Sequence, residues 1–177
     1  MKIAIFGGSF DPVHLGHIEI VNKALQELDV DKIIIMPNYL NPLKKNFSAP
    51  SNLRLKWLKD VFNNKKVEIS DYEIKQNRPV YSIETIKKFR PDYFIIGSDN
   101  LNNLHKWKDI DEILKLTQFV VAKRGKIDKN QLSRYNIKKV LNVDIPISST
   151  DIRNKNFSFL PKNIEKEIKE FYESKKN

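Results

Sequence analysis

The 177-residue sequence contains no cysteine at all. Disulfide bonds, thiolate nucleophiles and cysteine zinc sites are therefore excluded, and the composition fits a reducing compartment. Histidine is scarce as well, with 3 residues. Because His105 stands far from the other two along the chain, the sequence predicts no zinc site. It also contains no dedicated carboxylate cage, so we expect no other metal held by the protein itself.

Long apolar runs are also missing. No stretch approaches the ~20 apolar residues that span a bilayer. Met1 leads straight into an apolar strand-like stretch, without the basic and hydrophobic segments of a signal peptide. With 40% hydrophobic and 31% charged residues, the composition is typical of a globular protein. We expect a single domain over residues 1–177 in a soluble, cytoplasmic protein with no membrane partner.

Acidic residues are outnumbered, since 32 lysines and arginines face 22 aspartates and glutamates, for a net charge of +10. This excess has two interpretations, attraction for nucleic acid or nucleotides and a solvated lysine-rich surface. Because the lysines are spread along the chain, we expect the second and no nucleic-acid partner. A non-enzymatic nucleic-acid or nucleotide-binding module is the alternative, and it predicts salt-sensitive binding to polynucleotide. No pattern indicates an oligomeric state.

Short apolar runs alternate with amphipathic stretches along the chain. This alternation predicts an α/β fold, a Rossmann-like three-layer sandwich with a central, mainly parallel sheet flanked by helices. The predicted strands are Ile3–Phe6, Ile33–Met36, Val67–Ile69, Tyr93–Ile96, Phe119–Ala122 and Lys139–Val143. Helices are expected to begin near His14, Ser51 and Ser82, and to cover residues 110–116 and 164–172.

The first predicted strand ends at Gly7 and Gly8, which let the backbone approach a ligand closely. The next helix begins near His14, so its free N–H groups point towards the same crevice. Three residues apart, His14 and His17 can place both imidazoles on one side of the helix start. Imidazoles there can donate hydrogen bonds to phosphate oxygens, and a protonated one can stabilise charge that grows during attack at phosphorus.

A second polar run, Ile147–Arg153, lies near the far end of the chain. Its hydroxyls open a predicted helix, and Arg153 follows three residues beyond Thr150. Hydroxyls, free N–H groups and a forked cation together suit a polyphosphate. Alone, the Ser-Ser-Thr run would indicate only a helix cap, but its pairing with the first motif favours phosphate binding.

These two segments carry a family resemblance. Residues 7–17 resemble the G-x-F-D-x-x-H-x-G-H signature of the nucleotidyltransferase superfamily, in the spelling of its nicotinate-nucleotide adenylyltransferase branch, and residues 147–153 resemble its I-S-S-T-x-I-R signature. The resemblance implies transfer of AMP from MgATP to nicotinate mononucleotide, giving deamido-NAD and pyrophosphate. It implies catalytic roles for His14, His17 and Arg153. The implied ATP contacts are Gly7, Gly8, Ser9, Phe10, Gly16, Ser148, Ser149 and Thr150.

Three middle segments resemble the acceptor site of the same branch. Residues 37–44 resemble its P-N-x-x-P-P-H-K loop, 78–85 its P-S-Y-T-x-x-T segment, and 96–107 its I-G-x-D-x-L and tryptophan block. The resemblance implies that Trp107 stacks on the pyridine ring, and indole is chemically suited to this. The other implied mononucleotide contacts are Lys44, Tyr81, Ser82, Thr85, Gly97 and Asp99.

The sequence departs from this pattern at a few positions. Leu43 stands where histidine is usual, Asn41 where proline is usual, and Val80 where serine is usual, whereas Ser82 replaces threonine and keeps a hydroxyl. Phosphopantetheine or cytidylyl transfer would use the same two signatures, and the segments around residues 79–85 and 107 argue against both. The residues alone leave nicotinate and nicotinamide mononucleotide open, and the branch resemblance favours nicotinate.

Overall fold

The computed structural model describes residues 1–39 and 49–174. Within these ranges six strands form one sheet in the order β3-β2-β1-β4-β5-β6, and all neighbouring strands are parallel. The predicted α/β class with a central parallel sheet is confirmed, and each predicted strand is present with slightly different ends. The strands are β1 (Ile3–Gly8), β2 (Lys32–Pro37), β3 (Val67–Ile69), β4 (Tyr93–Gly97), β5 (Gln118–Lys123) and β6 (Lys139–Asn142).

Helices connect the strands across both faces of the sheet. In the described ranges they are α1 (Leu15–Glu27), α2 (Ser51–Val61), α3 (Tyr72–Lys75), α4 (Ser82–Phe89), α5 (Ile110–Leu116), α6 (Lys129–Arg134), α7 (Ser149–Arg153) and α8 (Glu165–Glu173). A 3₁₀ segment covers Ser98–Lys106. None of these helices has the length and apolar character needed to cross a membrane.

Two apolar cores lie on opposite faces of the sheet. Successive side chains of β1 alternate between them, since Ala4 and Phe6 belong to one core and Ile5 to the other. The first core includes residues of α1, α2 and α8, and the second includes residues of α4, α5 and the 3₁₀ segment. Because both faces are covered, the strands are apolar on both sides, which explains their continuous apolar runs.

The helix predictions hold for the longer elements. Helix α1 begins after the N-cap His14, α4 begins at Ser82, and α8 covers most of the predicted closing helix. Helix α2 begins at Ser51, as predicted. Pro50 holds the N-cap position, and the Ser51 hydroxyl accepts a hydrogen bond from Arg54. Helices α3 and α6 and the 3₁₀ segment were not predicted, because such short elements show little periodicity.

The strand order creates a switch point between β1 and β4. The chain builds β1, β2 and β3 in one direction along the sheet, then returns to the other side of β1 to build β4, β5 and β6. Gly8 ends β1 and Gly97 ends β4, so the carboxyl ends of both strands open into the same gap. In open parallel sheets this gap is where ligands bind.

Candidate active site

A crevice of about 340 Å³ opens at this switch point. Every residue predicted for catalysis or ATP binding lines it, and so do Gly97 and Asp99 from the predicted mononucleotide contacts. The first signature supplies the end of β1 and the start of α1, and the second supplies α7. Two segments more than 130 residues apart in sequence therefore meet around one cavity, as the hydrogen bond from the Ser149 hydroxyl to the Pro12 carbonyl oxygen (2.8 Å) illustrates.

His14 is the N-cap of α1 and is almost completely buried. Its Nδ1 accepts a hydrogen bond from the backbone N–H of Gly16 at 3.0 Å. An imidazole nitrogen that accepts a hydrogen bond carries no proton. The proton of the neutral ring therefore lies on Nε2, the nitrogen away from the helix backbone.

His17 is fixed in the same way one turn later. Its Nδ1 accepts a hydrogen bond from the backbone N–H of His14 at 3.1 Å. The two rings stack with their centroids 3.8 Å apart and an angle of 26° between their planes. Phe10 supports His17 from the side, with ring centroids 4.8 Å apart. The predicted placement of both imidazoles on one side of the helix start is confirmed, and both rings keep Nε2–H as their donor.

The protonation state of the pair differs from the protonated imidazole considered from the sequence. Burial, with a smaller contribution from the Arg124 charge, lowers the pKa of His14 to about 3. Burial also lowers the pKa of His17 well below its ordinary value, helped by His14 and Arg124. Both rings are therefore neutral near pH 7 in the ligand-free protein, and they act as hydrogen-bond donors rather than as cations.

The second signature forms a capped helix start beside the histidines. The Ser148 hydroxyl accepts from the backbone N–H of Asp151 at 3.1 Å and donates to its carboxylate at 2.8 Å. The Asp151 N–H is taken by this cap, whereas the N–H groups of Ser149 and Thr150 come before it at the helix start and have no partner within the helix, so they can bind anions. Arg153 donates to the Thr150 hydroxyl at 3.0 Å, so its guanidinium lies against the same turn.

A buried carboxylate ties both signatures to the closing helix. Asp11 is 2% exposed, and its side chain accepts hydrogen bonds from the Tyr172 hydroxyl on α8 and from the backbone N–H of Ala49 (2.8 Å). The Asp11 carbonyl oxygen accepts from the Arg153 guanidinium at 2.8 Å. The orientation of Arg153 therefore depends on the conformation of the loop after β1.

Arg54 braces the same loop from α2. Its fully buried guanidinium donates to the carbonyl oxygens of Ser9 (2.7 Å), Asn38 (2.9 Å) and Ala49 (3.1 Å). Burial lowers the pKa of Arg54, whereas Asp11 and Tyr172 oppose that shift. The sequence did not indicate Asp11 or Arg54 as supports, because their partners come from distant parts of the chain.

Arg124 also lines the crevice, although no sequence pattern indicated it. It follows directly after β5, and it donates to the Asp99 carboxylate at 3.0 Å and to the Ile147 carbonyl oxygen. It thereby adds a second guanidinium to the crevice, beside that of Arg153. A basic residue just beyond the carboxyl end of a predicted parallel strand was the signal that could have revealed it.

The predicted mononucleotide contacts fall into two places. Gly97 and Asp99 line the crevice, whereas Tyr81, Ser82 and Trp107 line a second depression of about 470 Å³. The 3₁₀ segment joins the two places, since it begins after Gly97 and ends before Trp107. The half-buried Trp107 ring meets the core edge-on through Phe94 and Phe119.

Two other predicted contacts lie elsewhere. Thr85 is fully buried and donates to the Glu73 carboxylate at 2.7 Å, so it lines neither the crevice nor the second depression. Lys44, with the departures at Asn41 and Leu43, falls outside the described residues. Among residues 1–39 and 49–174, no group of three or more histidines and carboxylates is arranged to hold a metal ion.

Similarity to known proteins shows the broad family to which this chain belongs. A family model described as cytidylyltransferase-like matches residues 5–155, and the chain belongs to this family. Individual curated relatives show the narrower family within it. A protein from Nitratiruptor sp. is 48% identical over 98% of this chain and 100% of its own length. One from Sulfurimonas denitrificans is 49% identical over 96% of this chain and 94% of its own.

Both relatives carry the name "Probable nicotinate-nucleotide adenylyltransferase". Within the larger family, the chain is therefore a member of the nicotinate-nucleotide adenylyltransferases. Its fold is also similar to a solved structure of Plasmodium falciparum nicotinic acid mononucleotide adenylyltransferase complexed with NaAD. The TM-score is 0.74 at 22% identity, over 96% of this chain and 93% of that one.

Proposed function

We propose that this protein transfers AMP from ATP to nicotinate mononucleotide, giving deamido-NAD and pyrophosphate in NAD biosynthesis. The observation that carries the proposal is the convergence of two Nε2–H donors, from His14 and His17, with the Arg153 guanidinium on one crevice. The names of the curated relatives support nicotinate mononucleotide as the acceptor. We further propose that residues 1–177 form one nucleotidyltransferase domain that works in the cytoplasm, where its nucleotide substrates are available.

The reaction is an in-line displacement at the α-phosphorus of ATP. An oxygen of the mononucleotide phosphate forms the new bond to phosphorus, and pyrophosphate leaves with the electron pair of the broken bond. No protein nucleophile is required, because positioning the two anions and stabilising their charge supply the catalysis. His14 and His17 donate their Nε2–H groups to oxygens of the α-phosphate, where negative charge grows in the transition state.

The remaining lining residues hold the triphosphate. Arg153, the Thr150 hydroxyl and the N–H groups of residues 149 and 150 bind the β- and γ-phosphates, which depart as pyrophosphate. The Ser148 and Ser149 hydroxyls hold the shape of this turn instead, because they donate to Asp151 and Pro12. The segment after β1 completes the wall of the crevice beside the nucleotide, through Gly7, Gly8, Ser9, Phe10 and Gly16. Mg²⁺ enters with ATP as part of the substrate and is coordinated mainly by phosphate oxygens and water.

The acceptor spans the crevice and the second depression. Gly97 lets the mononucleotide lie close to the end of β4, and the Asp99 carboxylate accepts hydrogen bonds from its hydroxyl groups. Trp107 stacks on the pyridine ring, with Tyr81 and Ser82 beside it. Lys44 contacts the phosphate. Thr85 acts from inside the fold, by holding α4 through Glu73.

The proposal is tested by measuring pyrophosphate release with four acceptors supplied separately. MgATP is the donor for nicotinate mononucleotide, nicotinamide mononucleotide and phosphopantetheine, and MgCTP is the donor for a cytidylyl-transfer acceptor. The control variant is His17→Asn, because the asparagine oxygen can still accept from the His14 N–H while the Nε2–H donor is lost. We expect release with the pyridine mononucleotides, strongest with nicotinate, and a kcat about 10²- to 10³-fold lower in the variant.

Pyrophosphate release only with phosphopantetheine, or only from CTP with its acceptor, would place the protein in another branch of the family. A folded, ATP-binding protein that releases pyrophosphate with none of the four acceptors would refute the proposed reaction. A His17→Asn variant with kcat within threefold of the unsubstituted protein would remove the histidine from the mechanism.

A further inference from the structure

The second depression has an excess of positive charge on its rim. Its lining residues, Val80, Tyr81, Ser82, Lys106, Trp107 and Lys108, include two lysines and no carboxylate. The neighbouring carboxylate of Glu84 is already paired, since it accepts from the Arg78 guanidinium at 2.7 Å and from the backbone N–H of Tyr81 at 3.0 Å. A ligand in this depression therefore meets ammonium groups without a carboxylate on the lining.

Lys108 is the lysine whose position is fixed by the lining itself. Its Nζ lies over the Tyr81 ring, 4.7 Å from the centroid. This contact is a cation–π interaction, which holds the ammonium at the aromatic wall. The Tyr81 side chain is 56% exposed, so a ligand can reach the ring and the ammonium together.

We propose that Lys108 determines the preference for nicotinate over nicotinamide mononucleotide; this inference rests on the proposed function. The two acceptors share the pyridine ring, ribose and phosphate, and they differ only in a carboxylate against a neutral carboxamide. An ammonium beside the ring attracts the carboxylate and gains little from the carboxamide. Trp107 and Lys108 line the same depression, so a pyridine stacked on Trp107 has its ring substituent in the depression that carries this charge.

The experiment compares the unsubstituted protein with Lys108→Met, Lys108→Arg and Lys106→Met. The ratio of kcat/KM for the two mononucleotides is measured at saturating MgATP, and their Kd values are measured in parallel by calorimetry. The ratio cancels contributions from the shared phosphate, so it reports on the ring substituent alone. Lys106→Met is the matched control, because it removes the same charge from the same rim.

We expect Lys108→Met to lower kcat/KM for nicotinate mononucleotide about three- to fivefold, the upper part of the range for one exposed charge pair. The value for nicotinamide mononucleotide should change less than twofold, and Lys108→Arg should keep most of the preference. Lys106→Met should leave the ratio within twofold. Equal losses with both acceptors, or the same change in ratio from Lys106→Met, would overturn the assignment to Lys108.

The binding measurement separates this inference from the proposed reaction. If pyrophosphate is not released but nicotinate mononucleotide binds more tightly, and Lys108→Met removes that difference in Kd, the reaction fails and the specificity role stands. If pyrophosphate is released with both acceptors and the unsubstituted protein prefers neither, the reaction stands and the specificity role fails. Absence of binding by either acceptor contradicts both.

Discussion

Two backbone N–H groups decide which ring nitrogen of each histidine is available to a phosphate. Gly16 donates to Nδ1 of His14, and His14 donates to Nδ1 of His17, so in each ring Nε2 keeps the proton. The three-residue spacing was sufficient to predict that both rings share one side of the helix start. It could not predict that they are neutral, because the burial and the nearby Arg124 charge come from the assembled fold.

Gly16 is required at its position because the His14 ring folds back over it. A Cβ at residue 16 would lie 2.8 Å from Cε1 and 2.9 Å from Nδ1 of His14, closer than carbon atoms approach in proteins. Gly16→Ala should therefore displace the ring and lower kcat/KM for MgATP about tenfold or more, even though alanine favours helix by about 1 kcal/mol. Initial-rate measurements of pyrophosphate release test this.

The matched control is Asn22→Ala on the exposed side of the same helix, which improves helix propensity without approaching His14. It should leave kcat/KM within twofold and hold or raise the melting temperature. A Gly16→Ala protein with unchanged kcat/KM would mean that the His14 ring does not need its observed position.

The buried carboxyl group of Glu73 should make the free energy of unfolding depend on pH. Burial, opposed by the Thr85 hydrogen bond, raises the pKa of this carboxyl from 4.5 to about 7. Between these two values the folded protein holds a proton that the unfolded chain releases, so its stability is lost as pH rises through that window. Glu73→Gln stays neutral and keeps an oxygen for Thr85. It should raise the free energy of unfolding at pH 8 by on the order of 2 kcal/mol and change little at pH 4.5.

Urea unfolding of the unsubstituted protein and of Glu73→Gln at several pH values measures the difference between their free energies of unfolding. Contributions from the other titrating groups cancel in that difference. Asp29→Asn is the control, because the Lys2 ammonium lowers the pKa of Asp29 and the substitution should therefore bring no gain. A difference between Glu73→Gln and the unsubstituted protein that is the same at pH 4.5 and pH 8 would contradict the protonation argument.

At the scale of elements, the active-site loop is held between helices that are distant in sequence. Helix α8 provides Tyr172, α7 provides Arg153 and α2 provides Arg54, and all three bind residues 9–11 after β1 or their side chains. Apolar spacing predicted α8 as a closing helix, since that spacing is local. It could not predict that Tyr172 reaches Asp11, a contact across 161 positions of the chain.

Tyr172→Phe tests whether α8 positions the phosphate site. The substitution removes one hydrogen bond from the buried Asp11 carboxylate, and a hydrogen bond to a charged group contributes about 1.5–3 kcal/mol to stability. We expect the free energy of unfolding to fall by about that amount. Because Arg153 donates to the Asp11 carbonyl oxygen, we also expect KM for MgATP to rise about threefold or more with a smaller change in kcat.

Tyr135→Phe is the matched control. Tyr135 is also buried, but in the part of the chain that the structure describes its hydroxyl has no hydrogen-bond partner. Removing that hydroxyl should leave stability unchanged or improve it, and KM for MgATP should stay the same. If both substitutions reduce stability equally and neither changes KM, α8 has no role in positioning the phosphate site.

At the scale of the molecule, alternation of strands and helices was enough to predict a parallel sheet covered on both faces. The strand order could not be predicted from the sequence. Strand β1 pairs with both β2 and β4, and no local sequence feature indicates that β4 is its second partner. The two signature segments, residues 7–17 and 147–153, meet at the gap between the carboxyl ends of β1 and β4. The acceptor contacts separate for a related reason: Gly97 and Trp107 are joined by a 3₁₀ segment whose course depends on packing against β4 and β5.

The net charge of +10 belongs to the whole molecule, and its effect on substrates can be measured. MgATP and the mononucleotide are both anions, so a positive surface raises their encounter rate over distances comparable to the screening length. That length is roughly 10 Å at 0.1 M salt and shrinks as salt is added. Raising KCl from about 50 to about 300 mM should therefore increase KM for both substrates about two- to fivefold. Since bound substrates are held by short contacts inside the crevice, kcat should change less than twofold.

A neutral osmolyte at matched osmolality separates screening from general solvent effects. The same salt series with a single-stranded polynucleotide of ~30 nucleotides tests the alternative that the charge serves nucleic acid. If the charge is a solvated surface that only assists small anions, the polynucleotide should neither bind tightly nor inhibit at about 150 mM KCl. Tight binding there, with affinity falling steeply as salt rises, would mean that the lysines form a continuous basic surface and that a nucleic-acid partner must be added to the enzyme's function.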